Sequence, residues 1–303
     1  MLKTAGRGAA AILLCLAGAL ALQAQEPGKV PRIGVLITGA LEMPETKASL
    51  DAFRQGLRDH GYVEGRNILI EYRAADGNIE RLPGLAAELA RLKVDLIVAG
   101  ATPAGRAARA ATATIPIIVM AMGDPVGDGL VASLARPGGN LTGTTFLGPT
   151  LVPKHLALLT EALPRATRIA ILWHPGAFAD STMRDMLKEA EAAARTLPSS
   201  RARCFLPNAQ RVAGVSRRVP RYGVFNNREA VELGALMSYG TSLPELLRRT
   251  GTYIDKTLKG ARPADLPVEQ PTKFELVINL TAAKALGVTI PQSLLLRADQ
   301  IIN

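Results

Sequence analysis

The chain has 303 residues, 48% of them apolar and 20% charged, with 28 Gly, 20 Pro and two Cys. This composition excludes disordered, fibrous and disulfide-stapled classes, and the length suits about two domains, each able to bury its own core. Aromatic residues make up only 4%, too few for a base-stacking platform, so nucleic acid is not an expected partner despite a formal charge of +10. That charge is local. Lys3 and Arg7 open the chain, and eight arginines (195, 201, 203, 211, 217, 218, 221 and 228) stand between Ala192 and Arg228 with no Asp, Glu or Lys; the rest is neutral.

Behind Lys3 and Arg7 comes an apolar run from Ala9 to Leu22. It has the form of a signal-peptide core, short for a membrane span, and polar Gln23, Gln25 and Glu26 follow early. Residues 1–24 are therefore expected to be a signal peptide, cleaved after Ala21 or Ala24, rather than an uncleaved anchor, and the mature chain is expected to be exported to the periplasm. Cys15 lies inside the apolar run, where lipoprotein processing does not place its cysteine, so Cys204 is left without a partner for an intrachain disulfide.

From Val30 onward short β-branched runs alternate with helical periodicity. RIGVLI (32–37), NILIEY (67–72), VDLIVA (94–99), IPIIVM (115–120) and 141–145 read as strands. Between them, Leu50, Phe53 and Leu57 mark a helix ending near His60-Gly61, and Leu82, Leu85, Leu89 and Leu92 mark a second. Further helices are expected at about 103–111 and 126–135. Such alternation predicts an α/β fold with a doubly wound parallel sheet. The pattern restarts after Pro149 with a helix to Leu163, a strand at 168–173 and a helix at about 181–194, so a second lobe begins. Residues 197–221 show no clean periodicity. Order resumes at 229–233, a strand at 235–239, a helix at 243–259, a strand at 274–280 and a short helix to Leu286. The expected division is 1–24 signal peptide, 30–145 first lobe, 146–242 second lobe abbreviated around 197–221, and 243–303 returning to the first lobe.

No nucleophile elbow, phosphate-binding loop or dinucleotide fingerprint occurs, and His60, His155 and His174 stand apart from other metal-ligating types, so no catalytic, metal or cofactor site is expected. In a doubly wound sheet ligands bind beyond the C-terminal strand ends. Thr38 follows the first strand, Thr102 the third, Asp124 the fourth, and Thr142 and Thr145 end the fifth. Thr102 before Pro103 suggests an N-cap that leaves backbone N–H groups open to a carboxylate, and Asp124 suits an ammonium, although both could equally be structural caps. With Tyr239 from the later strand, these six are the candidate ligand-binding residues.

Several runs resemble a known family: Pro31-Arg-Ile-Gly-Val, Gly61-Tyr-Val-Glu-Gly-Arg-Asn-Ile, Thr114-Ile-Pro-Ile, Gly123-Asp-Pro-Val, Ser133-Leu-Ala-Arg-Pro-Gly-Gly-Asn-Leu-Thr-Gly143, Leu236-Met-Ser-Tyr-Gly240, and the fourteen residues from Leu266 to Asn279. They are similar to the ABC transporter substrate-binding proteins of the tryptophan/tyrosine-binding type, over about 30–196 and 229–302. The resemblance implies a type I periplasmic-binding fold: two Rossmann-like lobes joined by a hinge, monomeric and non-enzymatic, closing on a small molecule for an inner-membrane permease. Aromatic amino acids are among the family's ligands. Family members carry further βα units between the helix ending near Ala194 and Tyr222-Gly223, so the second lobe is expected to be truncated, with a frameshift or deletion as the source of the arginine-rich stretch; alternate frames of the coding DNA test that. The competing readings are a sensory ligand-binding module, an exported enzyme, and a non-functional remnant of a binding protein.

Overall fold

A computed structural model describes residues 30–166, 168–170, 180–196, 203–205 and 223–303. The signal segment, the end of the 168–173 strand, His174 and most of the arginine-rich stretch lie outside the described residues. Five strands form the first sheet: β1 (Arg32–Ile37), β2 (Leu69–Ala74), β3 (Leu96–Gly100), β4 (Ile117–Met122) and β5 (Leu141–Thr145). Their order is β2-β1-β3-β4-β5, and every pairing is parallel, as the unbroken apolar runs require.

Alternate residues of these strands face two separate cores. Leu36, Ile97, Ala99, Ile117 and Val119 point to α2 (Leu82–Arg91) and α3 (Ala101–Ala111). Ile33, Val35, Leu96, Val98, Ile118 and Met120 point the other way, to α1 (Pro44–Asp59). Helix α1 begins with Pro44 and Glu45 in its first turn, buries Leu50, Phe53 and Leu57 at helical spacing, and ends at His60 before Gly61 with φ +82°. The expected helix at 126–135 does not form. Pro125, Gly127, Gly129 and Pro137 interrupt it, and the segment runs as turns in which Leu130 and Val131 both donate to the Pro125 carbonyl.

The second lobe holds α4 (Val152–Ala162), β6 (Arg168–Ala170), α5 (Asp180–Thr196), β7 (Arg203–Phe205), β8 (Val224–Phe225), α6 (Arg228–Glu232) and β9 (Met237–Gly240). The chain then recrosses as α7 (Leu243–Leu258), which lies against α1. These helices touch through glycine: a Cβ on Gly56 would stand 2.0 Å from the Arg248 carbonyl oxygen, and one on Gly251 2.3 Å from that of Gly56. Arg248 pairs with Asp59 across the contact.

Only part of the segment 243–303 stays with the first lobe. After α7, Thr142 Oγ1 donates to the Leu266 carbonyl (2.6 Å), and Glu269 exchanges backbone hydrogen bonds with Gly143 and Thr145 (2.9 Å each). The chain then leaves again, and β10 (Glu275–Asn279), α8 (Leu280–Ala285), α9 (Gln292–Leu295) and β11 (Gln300–Ile302) complete the second lobe. Its main sheet, β11-β10-β9-β8, is mixed rather than wholly parallel. Strand β10 enters from the end where β9 leaves, so the two run antiparallel. Among the described residues β6 and β7 form a separate two-stranded piece. Three connections therefore join the lobes: 146–151, 241–242 and 270–274.

Candidate functional site

In the order β2-β1-β3-β4-β5 the direction of winding reverses between β1 and β3, which opens a crevice beyond their C-terminal ends. Thr38 stands there, half-buried, with no side-chain hydrogen bond among the described residues, while its carbonyl accepts from Gly77 N–H (2.8 Å). Next to it α3 starts at Ala101, whose φ of +66° is unusual for a residue with a Cβ. Ala121 in the β4 bulge (φ +56°) and Leu147 in the first crossing (φ +54°) share this conformation, so three strained non-glycine residues gather on one edge of the sheet.

Four of the candidates prove to be engaged inside the protein. Helix α3 is capped by Gly100, and Thr102 sits one position past its first residue, correcting the expected N-cap; its buried Oγ1 accepts the Gly123 N–H (3.1 Å). Thr142 is fully buried and binds the Leu266 carbonyl, on the side of the returning chain. Thr145 is also fully buried; its Oγ1 donates to the Met122 carbonyl (2.8 Å) and accepts the Leu147 N–H (3.1 Å). These threonines sit at strand ends because a β-branched side chain suits a strand, and their hydroxyls tie neighbouring backbone segments together. Asp124 Oδ1 caps its own turn by accepting the Gly127 N–H (2.9 Å), while Oδ2 lies 3.5 Å from Thr182 Oγ1 of the second lobe.

Tyr239 lies on β9 beside the second and third crossings. Its ring stacks on Phe274 (5.8 Å between centroids, 17°) and meets the edge of His155 (6.2 Å), with the Lys154 ammonium 5.7 Å from its centre. His155 Nε2 is hydrogen-bonded to the Tyr239 carbonyl, and burial holds its imidazole below the ordinary histidine range although that bond works in the opposite direction. The structure thus brings Thr38 and Asp124 to one edge of the first sheet and puts Tyr239 beside the second and third crossings. Sequence reasoning missed the contact between Thr182 and Asp128. The two are 54 residues apart, and nothing local announces it.

A cavity of about 170 Å³ opens elsewhere, on the outer side of α1, lined by Arg54, Leu57, Arg58, Tyr62, Val63 and Glu64. Arg54 there pairs with Glu64 (3.0 Å), and Arg58 donates to Gln55. Among the described residues no three His, Cys, Asp or Glu side chains group as metal ligands, and no helix is long and apolar enough to cross a membrane.

Comparison with known proteins agrees with this architecture. Residues 34–197 and 179–302 match the family model described as "ABC transporter substrate binding protein". A "Tyrosine-binding protein" of Clostridioides difficile is 27% identical over 279 residues, spanning 83% of this chain and 80% of that protein. Among solved structures, an ABC domain from Streptococcus pneumonia in complex with L-Trp aligns with a TM-score of 0.76 at 27% identity, over 90% of this chain and 99% of the other. The ligand-free, open structure of a substrate binding protein with adhesive properties from Clostridium difficile gives 0.65 at 26% identity, over 90% and 100%. With the family model matched over most of its length, this chain belongs to the family of ABC transporter substrate-binding proteins.

Proposed function

We propose that the mature chain is a periplasmic, monomeric solute receptor of an ABC importer, without enzymatic activity. On this reading it captures a small molecule, an aromatic or other amino acid or a related organic acid, between its lobes and delivers it to an inner-membrane permease. The observation that carries the reading is the pair of lobes joined by three connections, with the β1/β3 crevice turned toward the hinge. Hinge closure over a ligand follows from that connectivity, since few residues need to change φ and ψ. The amino-acid assignment rests on the relatives named for tyrosine and bound to L-Trp.

Within the cleft, Thr38 supplies a hydroxyl and the start of α3 supplies backbone N–H groups suited to a carboxylate, while Asp124 offers the charge for an ammonium and Tyr239 an aromatic wall near the hinge. Residues 30–145 with α7 form the first lobe in this scheme, and 152–240 with 275–302 the second. Thermal unfolding of the mature chain against amino acids and organic acids tests it: a ligand held only by the folded state at 100 times its Kd adds about 2.7 kcal/mol and raises the midpoint. A cooperative transition that no compound moves would overturn the assignment.

One observation favours a second reading, a remnant that no longer binds. The family match comes in two pieces, 34–197 and 179–302, that overlap where the acid-free, arginine-rich stretch begins. Unfolding without any cooperative transition would support the remnant.

A further inference from the structure

The loop that follows β4 is fixed to the first lobe from several sides. Gly123 N–H is held by Thr102 and Gly127 N–H by Asp124 Oδ1, the Arg109 guanidinium donates to the Gly129 carbonyl, and Arg106 Nη1 stands 4.0 Å from Asp128 Oδ1. Held in this way, the loop projects two carboxylates, Asp124 and Asp128, toward the second lobe. They meet the first turn of α5. Thr182 Oγ1 lies 3.2 Å from Asp128 Oδ1 and 3.5 Å from Asp124 Oδ2, and Thr182 is only 3% exposed. The fit is close: a Cβ on Gly127 would stand 2.8 Å from Thr182 Oγ1 and 2.2 Å from Asp124 Oδ2. Two carboxylates at the N-terminal turn of a helix are further favoured by its dipole.

This contact joins the two lobes through side chains rather than through the chain itself, on the side of the first crossing, which α5 also touches at 149–151. We propose that Thr182, Asp128 and Asp124 form an interlobe latch that sets the balance between closed and open forms before any ligand arrives. The proposal rests on the hinged reading above. A latch of this kind biases a two-state element, and the solute then acts on an equilibrium already shifted toward closure.

Small-angle scattering of the ligand-free mature protein tests the latch, comparing wild type with Thr182→Ser, Thr182→Val and Thr182→Asp. Serine keeps the hydroxyl and should match wild type. Valine keeps the shape without the donor, and the closed-to-open ratio should fall about tenfold, the worth of a hydrogen bond to a charged group. Aspartate sets a like charge against Asp128 and Asp124 and should give the largest radius of gyration; an acidic residue in a first helical turn is tolerated, so α5 should persist. Asp128→Asn, which weakens the contact from the other lobe, should enlarge the radius as Thr182→Val does, and it decides the matter if Thr182→Asp fails to fold. Curves for Thr182→Asp or Asp128→Asn that superimpose on wild type would overturn the latch. A wild type that binds none of the amino acids tested contradicts the proposed ligand and leaves this comparison intact.

Discussion

The two lobes are built from the same kind of unit but closed to different degrees. In the first, five parallel strands form one sheet, and both faces are covered, by α2 and α3 on one side and by α1 and α7 on the other. Among the described residues of the second, four mixed strands carry the main core of Leu158, Met237, Leu276 and Ile278, β8 is two residues long, and α4 and α5 pack around a smaller cluster of Val152, Leu156, Ile169, Met186 and Ala190. Among the described residues the larger buried clusters are therefore those of the first lobe. The same contrast explains the threonines, because a well-sealed sheet uses its hydroxyls internally and leaves few of them for a solute.

Truncations should expose this difference. Phe53→Ala, at a fully buried position of the first lobe, should cost about 3–5 kcal/mol and lower the unfolding midpoint of the whole chain. Met186→Ala in the satellite cluster should cost about 2 kcal/mol, at the low end for such changes, because a small cluster can collapse onto the space left. Equal losses at the two positions, measured by urea unfolding, would contradict the contrast. At the α1–α7 contact Gly251→Ala forces backbone apart and should cost about 1–3 kcal/mol, whereas Gly84→Ala on α2, with open space around its Cβ and an ordinary helical φ, serves as the control.

A smaller effect separates framework from cleft. Thr142→Val should cost about 1 kcal/mol by leaving the Leu266 carbonyl without its donor, with ligand affinity unchanged. Thr38→Val should do the reverse, leaving the midpoint in place and weakening binding. The pair is checked by unfolding and titration of the same preparations, and an affinity loss confined to Thr142→Val would invert the assignment.

The smallest effect is in pH. Burial depresses the His155 pKa in the folded state, so stability is present above the unfolded value near 6.5 and falls as pH drops through the lower folded value. In the first lobe the hydrogen bond from Arg248 holds Asp59 below its ordinary value, and that contribution is lost only in the more acidic carboxylate range. His155→Gln should flatten the stability profile just below pH 6.5, and Arg248→Gln should flatten it in the carboxylate range. Unfolding midpoints that show no such separation would count against these causes.

Much of the first lobe was legible because parallel strands covered on both faces leave an unmistakable record, as in RIGVLI and IPIIVM, and because α1 and α2 carry leucines at helical spacing. Legibility failed where tertiary contacts decide. The 126–135 segment contains Leu130 and Val131 at buried positions, yet Pro and Gly keep it in turns. Strands β8 and β11 have two and three residues, too short for a period to show, and β10 joins the second sheet through pairing with β9. The site was legible in type but not in detail: polar residues after strands were the right places to look, but whether a hydroxyl faces a solute or a neighbouring carbonyl depends on chains 124 residues apart, as for Thr142 and Leu266.

The central claim, that the two lobes take up an amino-acid-like solute, is tested most directly by calorimetric titration of the mature chain with L-tryptophan, L-tyrosine and related organic acids. The account predicts saturable binding to one site per chain by at least one of them, weakened in Thr38→Val. A cooperatively folded chain that gives no binding heat with any of them at any temperature tried would contradict it.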